Sequence, residues 1–247
     1  MQELTQDLFL GGALKIHQPK VGYRAGSDTV LLSAAINAKP GDRVLDVGCG
    51  VGTVGLCVAR RVSGAHVIGL EFQQDLVTLA NQNAMENGLD DQVKFIHHDI
   101  RKKLPVNITA NSFDWVAANP PYYNLENHDV AAGEQRSTSR AQIQGDLSTW
   151  VDFCFKMTKP RGHMVFIYPT EHVEQLIGLL MQKKVGGLTL YPLWPKPNDP
   201  AKRMLICVRK GVSSPTKMGP GLILHDDHGN YTAQAIAVLK EGKPLIL

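Results

Sequence analysis

The stretch Arg43-Val44-Leu45-Asp46-Val47-Gly48-Cys49-Gly50-Val51-Gly52-Thr53 decides how the rest of the chain is read. It opens as a short strand-like run with an acid near its end. It then breaks into glycines at 48, 50 and 52, and continues into Thr53–Val62, which carries a helical pattern. Glycines let the backbone come close to a ligand, and the start of a helix presents unpaired N–H groups. Gly50-Val51-Gly52-Thr53-Val54-Gly55 also satisfies the dinucleotide fingerprint, and Glu71 stands about twenty residues on, where a ribose-binding acid belongs. Taken alone, the loop (Gly48, Gly50 and Gly52) specifies a nucleoside-bearing cofactor and no more.

Asp46 narrows the choice. At the end of a strand and inside the pocket, it would repel a pyrophosphate and attract a cationic sulfonium cofactor bearing an ammonium group. Glu71, ending the next strand, can accept from both ribose hydroxyls.

Outward from this stretch the pattern alternates. Strand-like runs cover Arg43–Val47, His66–Glu71, Val93–His97, Phe113–Ala118 and His163–Tyr168, with helical stretches at Thr53–Val62, Gln74–Asn87, Leu147–Met157 and Glu171–Lys183. Such order predicts an α/β protein with a parallel, doubly wound sheet. Leu188–Leu193 and Met204–Arg209 add two strands around a Pro-rich loop, giving a seven-stranded, mostly parallel sheet with an antiparallel C-terminal hairpin. Asp99-Ile100 follows the third strand, where Asp99 can accept from an adenine amine while Ile100 packs on the ring. Before the first strand, residues 1–39 read as an extension over the cofactor site. It comprises a hairpin across Gly11-Gly12 and a helix capped by Ser27 or Asp28. Residues 211–247 read as a tail with a short helix from Thr232 to Leu239, and 1–247 as one domain.

Composition fits this reading. The chain has 247 residues, 43% hydrophobic and 20% charged, enough for one filled α/β core. Its net charge of +3 permits a nucleic-acid partner only through a local patch. Cys49, Cys57, Cys154 and Cys207 are too scattered for a metal site, so no metal is expected. No basic leader or membrane-length apolar run is present, which predicts a cytoplasmic protein with no membrane partner.

The other decisive motif is Asn119-Pro120-Pro121-Tyr122, directly after the Phe113–Ala118 strand. The lone pair of an exocyclic amine is delocalised, so the amine attacks poorly. It becomes competent when both N–H bonds point at fixed acceptors that favour pyramidalisation. The Asn119 side-chain oxygen and the Pro120 carbonyl can be those acceptors, with proline fixing φ. Tyr122 can stack on the planar target. No titrating base is required before attack.

On these motifs the chain resembles the Asn-Pro-Pro-Tyr class of S-adenosylmethionine-dependent methyltransferases. It is most similar to the bacterial tRNA1(Val) adenine-37 N6-methyltransferases. The resemblance also takes in Gln18–Leu32 and Gly229-Asn230-Tyr231-Thr232. It implies a Rossmann-like class I methyltransferase fold, S-adenosylmethionine as cofactor and an RNA as partner, with tRNA the expected kind. It places Arg24, Gly26 and Asp28 near the mouth of the cofactor site, although Asp28 equally reads as a helix cap. Positive candidates around that mouth are Lys15, Lys20 and Arg24, then Arg136 and Arg140, then Lys196, Lys202 and Arg203. Two alternatives share the motif. A protein-glutamine methyltransferase of the release-factor type usually carries a large helical domain before the glycine loop, and only about forty residues precede it here. A ribosomal-RNA guanine N2-methyltransferase often has Phe in place of Tyr122.

Overall fold

In the computed structural model, which describes residues 3–22, 24–121 and 146–247, the chain starts with a hairpin. Leu4–Phe9 (β1) and Leu14–Pro19 (β2) pair antiparallel about the turn at Leu10–Gly12, as the apolar runs beside Gly11-Gly12 predict. Helix α1 (Ser27–Ala34) follows, with Gly26 rather than Ser27 or Asp28 as its N-cap. From Arg43 strand and helix alternate: β3 (Arg43–Val47), α2 (Thr53–Arg61), β4 (His66–Glu71), α3 (Gln74–Glu86), β5 (Val93–His97) and β6 (Phe113–Ala118). Then come α4 (Leu147–Met157), β7 (Thr158–Pro169), α5 (Val173–Met181), β8 (Val185–Trp194) and β9 (Arg203–Lys210).

These strands stand in the order β8-β9-β7-β6-β3-β4-β5. β9 runs antiparallel to both of its neighbours, while the pairs from β7 through to β5 are parallel. That is the predicted mostly parallel sheet with its antiparallel hairpin. The sheet nevertheless has nine strands rather than seven, because β10 (Lys217–Met218) and β11 (Leu222–Ile223) add to the edge of β8. Each is two residues long, too short to carry the alternation by which a strand is read.

Period-two alternation divides the sheet into two cores. Val44, Trp115, Ala117, Val165 and Leu205 face the helices α1, α2 and α3. Leu45, Val47, Val116, Ala118 and Phe166 face α4 and α5. Asp46 therefore points to the α2 side, beneath the glycine loop. A last helix, α6 (Ala233–Leu239), packs on α1, and the Leu245 amide donates to the Ala34 carbonyl at 2.8 Å. The C-terminal segment thus packs on the helix that follows the hairpin.

The topology puts the site at the carboxyl edge of the sheet. After β3 the chain moves one way, to β4 and β5, and then crosses back to β6 on the other side. This leaves a crevice between β3 and β6, where ligands of such sheets bind.

Candidate active site

Val47 and Ala118 are register partners, so Gly48 and Asn119 leave the sheet side by side. The two motifs on which the sequence reading rests therefore open onto one crevice. Asn119 is half-buried and Pro120 is buried. Tyr122, also expected to take part in the chemistry, lies outside the described residues.

The glycine loop is held from both sides. Gly48, Gly50 and Gly52 all have positive φ (71°, 56° and 87°), where side chains are strained. The Gly48 and Cys49 amides donate to the Leu70 carbonyl at 2.8 and 3.0 Å. Glu71, 4% exposed, takes the Gly50 amide on Oε2 at 3.0 Å and the Phe72 and Gln73 amides on Oε1 at 2.9 and 3.0 Å. The acid expected to hold a ribose therefore also ties β4 to the loop. A pyrophosphate is a poor fit, since the Gly50 amide is committed to a carboxylate and a second acid lies beneath.

That second acid is Asp46, 2% exposed. Burial pushes its carboxyl up to about 7, opposed by a hydrogen bond from the Gly55 amide and reinforced by the nearby charge of Glu71. Its Oδ2 is buried and has no hydrogen-bond partner among the described residues. A buried acceptor left unpaired costs about 1–3 kcal/mol, so this atom calls for a donor. The Cys49 thiol is buried in the same loop. Burial first, then Asp46 and Glu71, push it well above the usual thiol range, away from the thiolate form that attacks.

A cleft beside the loop is lined by Gly48, Leu70, Glu71, Phe72, His98, Asp99, Ile100 and Trp150. Asp99 and Ile100, which the sequence reading sets against an adenine, both line this cleft. Asp99 is, however, gripped by Arg101, whose Nε and terminal nitrogen donate at 2.9 and 2.7 Å, and whose amide donates at 3.0 Å. Hydrogen bonding by Arg101 holds its carboxyl down at about 2. Phe72, His98 and Trp150 are lining residues that the sequence reading did not assign to the site. Phe72 had a signal in directly following Glu71. Trp150 had none, since its indole reaches Gly48 from across about a hundred residues and would collide with any Cβ there. Trp150 Nε1 and His98 Nε2 are also buried without partners among the described residues.

Arg24 and Gly26, expected near the mouth of the cofactor site, both make bonds within the N-terminal segment. The Arg24 guanidinium donates to Thr5 Oγ1 (2.7 Å), the Pro19 carbonyl (3.0 Å) and Asp7 (2.7 Å), so it staples the hairpin. Gly26 caps α1, its carbonyl accepting from the Thr29 amide and hydroxyl. Neither lines the cleft. Asp28 is paired with Arg203 at 3.0 Å.

Residues 38–192 match the family model described as a methyltransferase domain. The tRNA1(Val) (adenine(37)-N6)-methyltransferase of Vibrio campbellii is 26% identical over 214 residues, covering 87% of this chain and 86% of that protein. Its namesake from Haemophilus influenzae is 26% identical over 230 residues, covering 92% and 94%. Among solved structures, a predicted O-methyltransferase from Agrobacterium tumefaciens superposes with a TM-score of 0.73 at 21% identity, over 89% of this chain and 98% of that one. TrmN from Thermus thermophilus gives 0.51 at 21% identity, over 75% and 50%. These two structural likenesses establish the fold.

Proposed function

The chain belongs to the methyltransferase-domain family, and from that premise we propose that it transfers a methyl group from S-adenosylmethionine to the N6 amine of an adenine in tRNA. The observation that carries the reading is the pairing of Val47 with Ala118, which seats Asn119-Pro120 beside the glycine loop. The names of the relatives at about a quarter identity, over most of both chains, supply the acceptor.

The residues present fit this cofactor. Asp46 Oδ2, buried and lacking a donor, suits its ammonium. Glu71 keeps one acceptor site, on Oε2, beyond its three backbone bonds, enough for one ribose hydroxyl. The apolar walls Phe72 and Ile100 suit the two faces of a purine. When bound, the cofactor supplies an electrophilic methyl on a good leaving group.

The protein's own work is orientation. Asn119 and Pro120, fixed at the end of β6, present two carbonyl oxygens that accept from the target amine. They hold its lone pair towards the crevice as positive charge develops. A loop adenine enters at lower cost than a paired one, because less stacking is lost.

The test is methylation of total tRNA by the purified protein, with nucleoside mass spectrometry after digestion. N6-methyladenosine is the expected product, and label confined to protein glutamine would hand the reading to the release-factor type. In the same assay Asn119→Ala should keep its affinity for S-adenosylhomocysteine while single-turnover methylation falls by roughly a hundredfold. An unchanged rate would make the tetrapeptide structural.

A further inference from the structure

The free edge of β2 is closed by a helix in place of a strand. In the hairpin register, Lys15 and His17 turn their backbone groups away from β1, towards α3. Asn87, at the end of α3, accepts from the Lys15 amide at 3.0 Å and donates to its carbonyl at 2.7 Å. One turn earlier Asn83 does the same for His17, at 2.8 and 3.0 Å. Two asparagines four residues apart thus copy the donor–acceptor ladder of a neighbouring strand.

Asn83 does one thing that Asn87 does not. Its Nδ2 also donates to the Val51 carbonyl at 3.1 Å, between the two glycines Gly50 and Gly52. Asn83 is fully buried, and both of its amide donors are used. On its other side the same loop is held by Glu71 through the Gly50 amide. The loop is therefore clamped between the end of β4 and a side chain whose remaining bonds all go to the N-terminal hairpin. Asparagine is not a favoured residue inside a helix, and anchoring the strand edge needs only a pair of bonds such as Asn87 makes to Lys15.

We propose that Asn83 is a positioning residue for the cofactor loop and that, through it, docking of the β1–β2 hairpin sets the affinity for the cofactor. The proposal rests on the reading of the crevice as an S-adenosylmethionine site, and it adds to that reading a coupling between two elements. Coupling of this kind is reciprocal: what the hairpin does for the loop, an occupied loop does for the hairpin.

The test uses S-adenosylhomocysteine as the probe. In calorimetry Asn83→Ala should bind it about tenfold more weakly or worse, the size of one lost buried hydrogen bond. Methylation by that variant should show the same loss in KM for the cofactor, with kcat retained at saturation. Asn87→Ala, which loosens the hairpin edge only at Lys15 and leaves the His17 and Val51 bonds of Asn83 in place, should bind within about twofold of the parent, inside the scatter of a surface change. Should Asn83→Ala not fold, hydrogen exchange on the unaltered protein decides. S-adenosylhomocysteine should then slow exchange at the His17 amide as well as at Gly50 and Gly52. Protection of the loop with none at His17, or equal affinities in the two alanine variants, overturns the proposal. No binding of the probe by the unaltered protein would instead overturn the cofactor reading.

Discussion

A carboxyl group buried with one oxygen lacking a donor holds its proton to higher pH than one in water, and Asp46 is such a group. Its carboxyl is raised from 3.8 to about 7, by burial first and Glu71 second, so the ligand-free protein holds a proton that the unfolded chain releases. At this site the folded state then binds more protons than the unfolded state between those values, and the contribution of Asp46 to stability falls as pH rises from about 4 to about 7. On the reading that Asp46 meets the cofactor's ammonium group, cofactor affinity runs the other way, because the ammonium pairs with the ionised carboxylate. Affinity for S-adenosylhomocysteine should rise through the same window, with proton release visible as heat that changes with the buffer. Asp46→Asn should flatten both slopes. A parent protein whose melting temperature and affinity both ignore pH from 4 to 7 would show that Asp46 is ionised and otherwise satisfied.

Among the elements, the strand–glycine–helix unit owes its shape to residues that the sequence names and to partners that it does not. Gly52 caps α2 in the left-handed region, and any Cβ there would run into the Phe95 ring from β5. Gly52→Ala combines left-handed strain with overpacking, which together should destabilise the fold by ~2–4 kcal/mol. Thermal denaturation should show a fall of roughly ten degrees, and cofactor binding should weaken with it. A melting temperature within a degree or two of the parent would mean that Phe95 moves aside freely. The glycines, Asp46, Glu71 and Asn119 were legible because each lies within a few residues of a strand end that the hydrophobic pattern locates. The bonds of Arg24 were not legible, because its guanidinium is claimed by Asp7 and Thr5 on a strand brought near only by hairpin pairing. Asn83 reads in sequence as an ordinary polar residue of a helix. Its meaning depends on β2 lying alongside, which no local pattern states. The strands β10 and β11 escaped for the opposite reason, having too few residues to show any pattern.

At the scale of the whole molecule the question is where a net charge of +3 can meet a polyanion. The structure sorts the cations expected around the mouth. Lys20 is paired with Glu3, Arg24 with Asp7 and Arg203 with Asp28. Lys15 is bonded through its backbone to Asn87, where α3 has returned the chain to the amino edge of the sheet, away from the crevice. Arg136 and Arg140 lie outside the described residues. Lys196 and Lys202 remain, exposed beside the carboxyl ends of β8 and β7, in a loop that also carries Asp199. On the tRNA reading, these two lysines should carry phosphate contacts and Lys15 should not. Each contact to a single-stranded segment contributes about 0.7 to the slope of log affinity against log salt. Lys196→Ala with Lys202→Ala should therefore flatten that slope by about 1.4 and weaken binding at low salt, with affinity for S-adenosylhomocysteine unchanged. Lys15→Ala should leave both quantities where they were. Filter binding of labelled tRNA over a salt series separates the outcomes. If Lys15→Ala flattens the slope as much as the double variant does, the RNA reaches around to the amino edge, and the crevice is not the centre of its footprint.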